Sequence, residues 1–147
     1  MTSETARCLF SEGSVALPEG YQDRTVNIFP PPAAGDAAFN ISRDTPEPNE
    51  ALADYIERQL GLMKTHLKGW KTLAREAVRL GHDGPQGECL HASYLRGAER
   101  IWQRQAVFLT GPDKVLVFTL SKNTELSAQD EKAFSELLAS FHSHPQK

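Results

Sequence analysis

Apolar and polar residues alternate along residues 24–30, which read RTVNIFP. Successive side chains of a strand point to opposite faces of a sheet, so Val26 and Ile28 would share one face and Phe29 would lie on the other. The pattern predicts a strand that is apolar on both faces. One such face can join the core of a small protein, which leaves the second face to be explained.

The same kind of pattern predicts strands along much of the chain. Each predicted strand is a short apolar or alternating run that ends at glycine, proline or a charged turn. In chain order the runs are RCLFSEG, SVALPEG, residues 24–30, AFNISRD at residues 38–44, and residues 70–78, 88–95, 100–109 and 114–120. The last four are separated only by turn residues, which is typical of an antiparallel meander.

Two segments have the period of amphipathic helices. The first lies within residues 45–69, with Asn49 as its predicted N-cap and Gly69 at its C-terminal end. The second begins near Ser127, whose hydroxyl can cap it together with Asp130 in the first turn. We expect the apolar side of the first helix to dock on the sheet.

Strands grouped in runs, rather than alternating singly with helices, indicate an α+β protein. We predict an antiparallel sheet of about seven strands with the two main helices packed on one face. The whole chain, residues 1–147, would form one domain, with residues 1–11 as an N-terminal extension or edge strand and residues 142–147 as a frayed tail.

Both faces of the predicted sheet carry apolar side chains. In the segment IWQRQAVFL, Trp102, Ala106 and Phe108 oppose Ile101 and Val107. If both helices cover one face, the other face stays open to water. An open apolar surface larger than roughly a few hundred Å² marks a binding or self-association surface, so the sequence predicts a site of this kind.

Composition narrows the classes of partner. The chain is 39% hydrophobic and 24% charged with a net charge of −3, so it lacks the basic excess of domains that bind nucleic acid or anionic membranes. No run approaches the roughly 20 apolar residues that span a bilayer, and the N-terminus does not read as a signal peptide. We therefore expect a cytoplasmic protein without direct membrane insertion, in which Cys8 and Cys89 are reduced thiols; a disulfide between them is the alternative.

The sequence contains few residues that could carry catalytic chemistry. The sequence has no glycine-rich phosphate loop, HExxH or CxxC motif, and we predict no enzyme activity, cofactor or metal. Cys89 and His91 would share a strand face as a thiol and an imidazole, but a buried thiol beside a half-exposed histidine is the simpler interpretation. His142 and His144 resemble two ligands of a metal site without a third.

Two glutamines stand out because they lie on apolar faces. Gln59 falls between Ile56 and Met63 in the apolar arc of the first helix, and Gln105 shares a strand face with Ile101. An unsatisfied amide in an apolar setting costs about 1–3 kcal/mol. Each glutamine either bonds a neighbouring backbone group or water, or it awaits polar groups of a ligand.

Four segments carry a family resemblance. YQDRTVNIF, AFNISRD, ADYIERQL and RQAVFL, in this order and spacing, resemble successive signatures of the effector-associated (Eag) chaperones of bacterial type VI secretion, in the DcrB-like branch of the Mog1/PsbP fold. The resemblance covers about residues 12–141. It implies a homodimer and a concave apolar surface that holds the N-terminal transmembrane helices of an effector in the cytoplasm before export.

The resemblance also implies client-binding residues. The family's groove isoleucines correspond to Val26 and Ile28, with valine as a small departure, and its helix-binding glutamines correspond to Gln59 and Gln105. The ISRD motif at residues 41–44 matches as well, and we interpret its arginine and aspartate as a structural ion pair or as turn bonds.

These observations lead to one main hypothesis and two alternatives. The main hypothesis is a non-enzymatic cytoplasmic chaperone that binds and shields the N-terminal transmembrane helices of a type VI secretion effector. The first alternative is a Mog1/PsbP-like scaffold that binds a folded protein partner through its open sheet face. The second is a hydrolase that uses Cys89 and His91.

Overall fold

The computed structural model describes residues 7–10, 12–21 and 24–143, apart from the side chain of Leu9. Within these ranges the chain forms, in order, β1 (Arg7–Phe10), β2 (Gly13–Ala16), β3 (Asn27–Phe29), β4 (Ala38–Asp44), α1 (Leu52–His66), β5 (Lys68–Arg79), β6 (Gln86–Arg96), β7 (Glu99–Gly111), β8 (Lys114–Lys122) and α2 (Ala128–Ala139). Most of the predicted tail, and residues 1–6 and 11 of the predicted N-terminal extension, lie outside the described residues. Among the described residues, no helix is long and apolar enough to cross a membrane.

One antiparallel sheet contains six of these strands in the order β3-β4-β8-β7-β6-β5. β1 and β2 pair with each other in a separate hairpin. The predicted α+β class and antiparallel sheet are therefore confirmed, although the predicted sheet of about seven strands is a sheet of six with a two-stranded hairpin beside it. A strand can be recognised from its own residues, whereas its pairing partner depends on the path of the whole chain.

The two helices pack on opposite faces of the sheet, so the prediction that both lie on one face was wrong. α2 contributes Phe134 to a buried cluster with Phe108, whereas α1 packs Ile56 against Val107. Val107 and Phe108 are neighbours in β7 and therefore point to opposite faces. The strands are apolar on both sides in part because each face receives its own helix.

α1 covers only part of its face of the sheet, which we call the α1 face. Its buried side chains meet residues of β6, β7 and β8, including Leu90, Val107 and Val117. The edge strand β3 lies away from these contacts, and Ile28 there is 73% exposed. A strip of the α1 face next to β3 is consequently open to solvent.

The N-terminal cap predicted from the sequence is present at α2 but not at α1. At α2 the predicted capping box is present, because Ser127 Oγ accepts from the N–H of Asp130 at 3.1 Å and Asp130 Oδ2 accepts from the N–H of Ser127 at 2.9 Å. At α1 the predicted cap was wrong: Ala51 occupies the N-cap position without a side-chain bond, and Asn49 adopts a left-handed backbone with φ of 62°. The chain turns at Asn49 before the helix begins.

Candidate functional site

Ile28, one of the predicted site residues, lies on the open strip of the α1 face, and Val26 precedes the strand that carries it. Ile28 pairs with Asn40 of β4, which pairs with Thr119 of β8, and all three side chains share this face. Val26 lies two residues before Ile28, and the two side chains are 49% and 73% exposed. Large aliphatic side chains this exposed on the edge of a sheet leave apolar area available to a partner.

The two predicted glutamines are brought together by the fold. Gln59 on α1 and Gln105 on β7 line one cavity of about 250 Å³ between the helix and the sheet. Its apolar lining comes from Ile56, Met63, Leu90, Val107 and Val117. Arg24, which closely precedes Val26, also lines it, and we call this cavity together with the exposed side chains of Val26 and Ile28 the groove.

The amides in the groove have unused hydrogen-bonding capacity. Neither Gln59 nor Gln105 makes a side-chain hydrogen bond to another described residue. Both side chains are half-buried, so each retains contact with solvent. An amide offers two donors and two acceptor lone pairs, and enclosing it without partners costs about 1–3 kcal/mol. A bound molecule that seals the groove must therefore supply polar groups at this point.

A charged rim borders the groove. Asp44 accepts a hydrogen bond from the hydroxyl of the buried Tyr55 at 2.7 Å and another from the N–H of Thr45 at 2.8 Å. Arg24 approaches the same carboxylate at 3.5 Å. Burial and the bond to Asp44 raise the pKa of Tyr55 far above its usual range, so the phenol stays a neutral donor. The bond from Tyr55 of α1 to Asp44 of β4 therefore holds the rim of the groove in place.

The arginine and aspartate of the ISRD motif do bond structural partners, but not each other. Arg43 donates to the carbonyl oxygen of Thr25 at 2.9 Å and to Oδ1 of Asn27 at 2.8 Å. Asp44 bonds Tyr55 and Arg24 instead. The two side chains are consecutive in β4 and point to opposite faces, so the strand geometry separates them.

Arg24, Tyr55 and Met63 also line the cavity, and none of them was predicted as a site residue from the sequence. Tyr55 and Met63 belong to the apolar face of α1 and are indistinguishable by periodicity from ordinary core residues. Arg24 lies outside a regular element, so no period applies to it. The spacing of Gln59 and Met63, four residues apart on one helix face, is the signal that could have linked them.

Cys89 and His91 lie on the other face of the sheet, under α2. Burial raises the pKa of the Cys89 thiol, although the Arg104 guanidinium, 3.7 Å from Sγ, acts in the opposite direction. Burial lowers the pKa of His91, with a further contribution from the charge of Arg104, and its Nε2 atom is buried without a partner among the described residues. A thiol kept protonated is a poor nucleophile, so this arrangement does not favour a hydrolase.

The remaining predicted positions add no site. His144 lies outside the described residues, so the structure does not test its pairing with His142. Among residues 7–10, 12–21 and 24–143, no group of three or more histidine, cysteine or acidic side chains could hold a metal ion. No disulfide joins Cys8 and Cys89.

Comparisons with known proteins give a consistent set of relatives. The family described as DcrB matches residues 12–140. A curated Pseudomonas aeruginosa protein named Effector EagT6 is 29% identical over 137 residues, which cover 91% of this chain and 93% of that protein. The crystal structure of PA94, a Pseudomonas aeruginosa protein of unknown function, is similar with a TM-score of 0.78 and 26% identity, covering 98% of this chain and all of the other.

Proposed function

The chain belongs to the DcrB family, and from this premise we propose that it is a chaperone that binds and shields the N-terminal transmembrane helices of a type VI secretion effector in the cytoplasm. The resemblance of its four motifs to Eag chaperones is confirmed at the level of the family and of the relative named Effector EagT6. That similarity supports an effector as the partner. The Mog1/PsbP-like name for the fold stays a prediction.

One observation supports this function most directly: Gln59 and Gln105, far apart in sequence, line a single cavity on the face of the sheet that also carries the exposed Ile28. A membrane helix outside the membrane exposes a long apolar surface with scattered polar groups. Aliphatic side chains can cover that surface, and amides can bond its serine and threonine hydroxyls or its uncapped backbone groups. The groove offers both kinds of contact on one face of the sheet.

The energetics favour such a complex. Covering each 100 Å² of apolar surface is worth roughly 2.5 kcal/mol before the cost of ordering both partners is subtracted. Because α1 occupies part of the same face, the client would lie beside α1 and along the strip next to β3, rather than across the whole sheet. Apolar contact supplies affinity, and the glutamines make the orientation of the client specific.

We include the homodimer implied by the family resemblance in this proposal. A second copy would place two grooves in one particle and allow two client helices to be held at once. Light scattering after size-exclusion chromatography, with and without a client, measures this state directly.

The first prediction tests the groove by co-expression with an effector that carries N-terminal transmembrane segments. Val26→Asp and Ile28→Asp should each leave the fold intact but abolish the recovery of soluble effector, because a carboxylate cannot be enclosed against an apolar helix without a large desolvation cost. Leu62→Asp is the matched control, since Leu62 is 45% exposed on α1 outside the groove. Soluble effector is measured by affinity capture.

Equal recovery of effector with and without the protein would remove the chaperone function altogether. Equal recovery with the groove variants would remove this surface from consideration. A complex that forms with the folded part of the effector but not with its membrane helices would instead favour the scaffold alternative.

A further inference from the structure

Basic residues gather at one corner of the sheet, where α1 leads into β5 and β6 turns into β7. Lys68 and Lys71 lie at the start of β5, opposite the end of β6. Arg96 is the last residue of β6, and Arg100, at the start of β7, donates to the carbonyl oxygen of Gly69 at 3.1 Å. Gly69 lies between the two lysines in sequence, so the fold brings these four basic residues together. We call Lys68, Lys71, Arg96 and Arg100 the basic corner.

The basic corner has few acidic neighbours. None of its four side chains forms an ion pair with another described residue. Residues 60–73 and 93–101, which contain the corner, include five basic residues and one acidic residue, Glu99, which accepts a hydrogen bond from Asn123 at 3.1 Å. Charges in solution are screened within about 8–10 Å. An approaching surface therefore responds to this local excess rather than to the net charge of −3 of the whole chain.

The backbone at Gly69 leaves room for the guanidinium of Arg100. Gly69 has a left-handed φ of 64°, and a Cβ atom there would lie 3.0 Å from the Leu95 side chain and 3.1 Å from Nη2 of Arg100. Nη1 of Arg100 also donates to Oγ of the buried Ser93 at 2.9 Å. One nitrogen is thus fixed to the sheet, while Nε and Nη2 have no partner among the described residues. These two donors can bond the oxygens of a phosphate in parallel.

Apolar and aromatic side chains border the basic corner. Leu73 lies in β5 where the strand register is irregular, and its side chain is 49% exposed. Trp70 stacks on Tyr94 with the ring centroids 6.3 Å apart, and both side chains are half-buried. The indole N–H of Trp70 donates to Oγ1 of Thr72 at 3.0 Å. Aromatic rings with a polar tip, beside lysines and arginines, are characteristic of surfaces that contact the headgroup region of a bilayer.

The irregular register of β5 narrows the kind of partner. β5 is an edge strand of the six-stranded sheet, and the outer backbone groups of an edge strand are able to pair with an added strand. Register shifts between Lys68 and Lys71, and between Thr72 and Ala74, interrupt this edge within and beside the basic corner. Bulges of this kind hinder strand addition. Side chains rather than backbone groups must therefore hold a partner here, as they do at a layer of lipid headgroups.

From these contacts we propose that the basic corner docks the protein on a bilayer surface that contains anionic phospholipids, without insertion of a helix. Each lysine or arginine of the corner is attracted by the negative surface potential, and Arg100 can bond a headgroup phosphate. Leu73 and Trp70 contact the interface. β3 and β5 are opposite edges of the sheet, about 24 Å apart, so a docked molecule keeps Ile28 away from the lipid. Docking of this kind involves only protein and lipid and is independent of the chaperone function.

The test is sedimentation of the full-length protein with vesicles of phosphatidylcholine mixed with phosphatidylglycerol, and with vesicles of phosphatidylcholine alone. Lys68→Gln and Lys71→Gln each remove one charge from the corner, and Lys68→Arg retains it. Lys114→Gln is the matched control, since Lys114 is an exposed lysine at the opposite end of the sheet from Arg100. Leu73→Gln tests the apolar contact. Poly-glutamate is a soluble polyanion without an apolar layer, and its binding is measured in parallel by fluorescence anisotropy.

The wild type should bind the anionic vesicles and not the neutral ones. Binding should be lost as the salt concentration rises from about 0.1 M to about 1 M, where the screening length falls to about 3 Å. Lys68→Gln and Lys71→Gln should each weaken binding about fivefold, whereas Lys68→Arg and Lys114→Gln should leave it unchanged. Leu73→Gln should weaken vesicle binding about three- to fivefold without affecting the binding of poly-glutamate. All variants should keep the Tm of the wild type, because the changed side chains are exposed.

Three results would overturn this docking site. The first is equal binding of the two kinds of vesicle, or an equal loss in Lys68→Gln and Lys114→Gln. The second is binding of poly-glutamate without binding of anionic vesicles, which would assign the corner to an acidic protein surface. The third is loss of vesicle binding in Ile28→Asp but not in the corner variants, which would show that the groove takes up the lipid. None of these results changes the recovery of soluble effector, which tests the chaperone function separately.

Discussion

Side chains at the rim of the groove are held firmly, while those inside it are not. Asp44 is fixed by Tyr55 and by the N–H of Thr45, and Arg24 adds a charge contact. Gln59 and Gln105 have no comparable bonds among the described residues. A rigid border with adaptable amides inside is compatible with the client surface proposed above.

The second prediction concerns the rim. Tyr55→Phe removes the hydroxyl that donates to Asp44, and we expect the free energy of unfolding to fall by about 1–3 kcal/mol because the carboxylate loses a partner in a half-buried position. Tyr94→Phe is the control, since Tyr94 stacks on Trp70 and its ring is retained. Urea unfolding measures both. An equal loss in the two variants would mean that the hydroxyl at Asp44 has no special role.

Local sequence predicted where α2 begins but not where α1 begins. α2 begins where its capping box predicts, because the bonds involved join residues three apart. α1 begins at Leu52, three residues after the predicted cap, and is held by tertiary contacts of Tyr55, Ile56 and Leu60. Glu50, just before α1, accepts two hydrogen bonds from the Arg58 guanidinium. These bonds lower the pKa of Glu50 to about 2.

The third prediction concerns the start of α2. The N–H of Ser127, with Lys122, lowers the pKa of Asp130, so the ionised carboxylate stabilises the folded state. This contribution is complete above the unfolded pKa of about 3.9 and is lost as the pH falls through the lower folded value. Asp130→Asn should therefore lower the free energy of unfolding by about 0.5–2 kcal/mol at pH 7.

The difference between Asp130→Asn and the wild type should shrink as the pH falls below about 4, because both side chains are then neutral. Glu136→Gln is the control, since the ion pair of Glu136 with Lys132, one helical turn away, is exposed and 4.0 Å long and therefore contributes little to stability. Thermal unfolding from pH 7 to pH 2 provides the measurement. A difference that stays constant over this range would contradict the assignment to the ionised carboxylate.

The described part of the molecule is a six-stranded sheet with one helix on each face, together with a separate two-stranded hairpin. Each helix is joined to the sheet by an arginine of a strand that bonds an acidic residue of the helix. On the α1 face Arg75 bonds Glu57 of α1 and Glu88 of β6. On the other face Arg104 bonds Glu131 of α2, and Glu76 of β5. Two separate clusters result, and the groove belongs to only one of them.

The fourth prediction follows from this separation. Ile56→Val should cost about 0.5–1.5 kcal/mol and Leu138→Ala about 2–5 kcal/mol of unfolding free energy, and the double variant should lose the sum within about 0.5 kcal/mol. The residues belong to clusters on opposite faces. Phe134→Leu combined with Leu138→Ala, within one cluster, should deviate from its sum. Strong coupling between Ile56 and Leu138 in urea unfolding would contradict two independent clusters.

Local sequence patterns were enough to predict the class of each element and to select the candidate residues of the site. Alternation and periodicity depend only on near neighbours, so they located the strands, both helices and the capping box of α2. The four motifs identified the family. Gln59 and Gln105 could be noticed because each places a polar amide at a position of an otherwise apolar face. Val26, Ile28, Gln59 and Gln105 as client contacts remain a prediction.

The face that each helix covers, and the meeting of Gln59 with Gln105 in one cavity, follow from the path of the folded chain. A strand that is apolar on both sides is compatible with one helix on each face and also with two helices on one face and an open second face. The alternation of residues does not show which of these arrangements occurs. The cavity joins α1 to β7, and strand pairing places Ile28 on the same face of the sheet. Such contacts between distant segments depend on strand order and register, which are set by the packing of the complete chain.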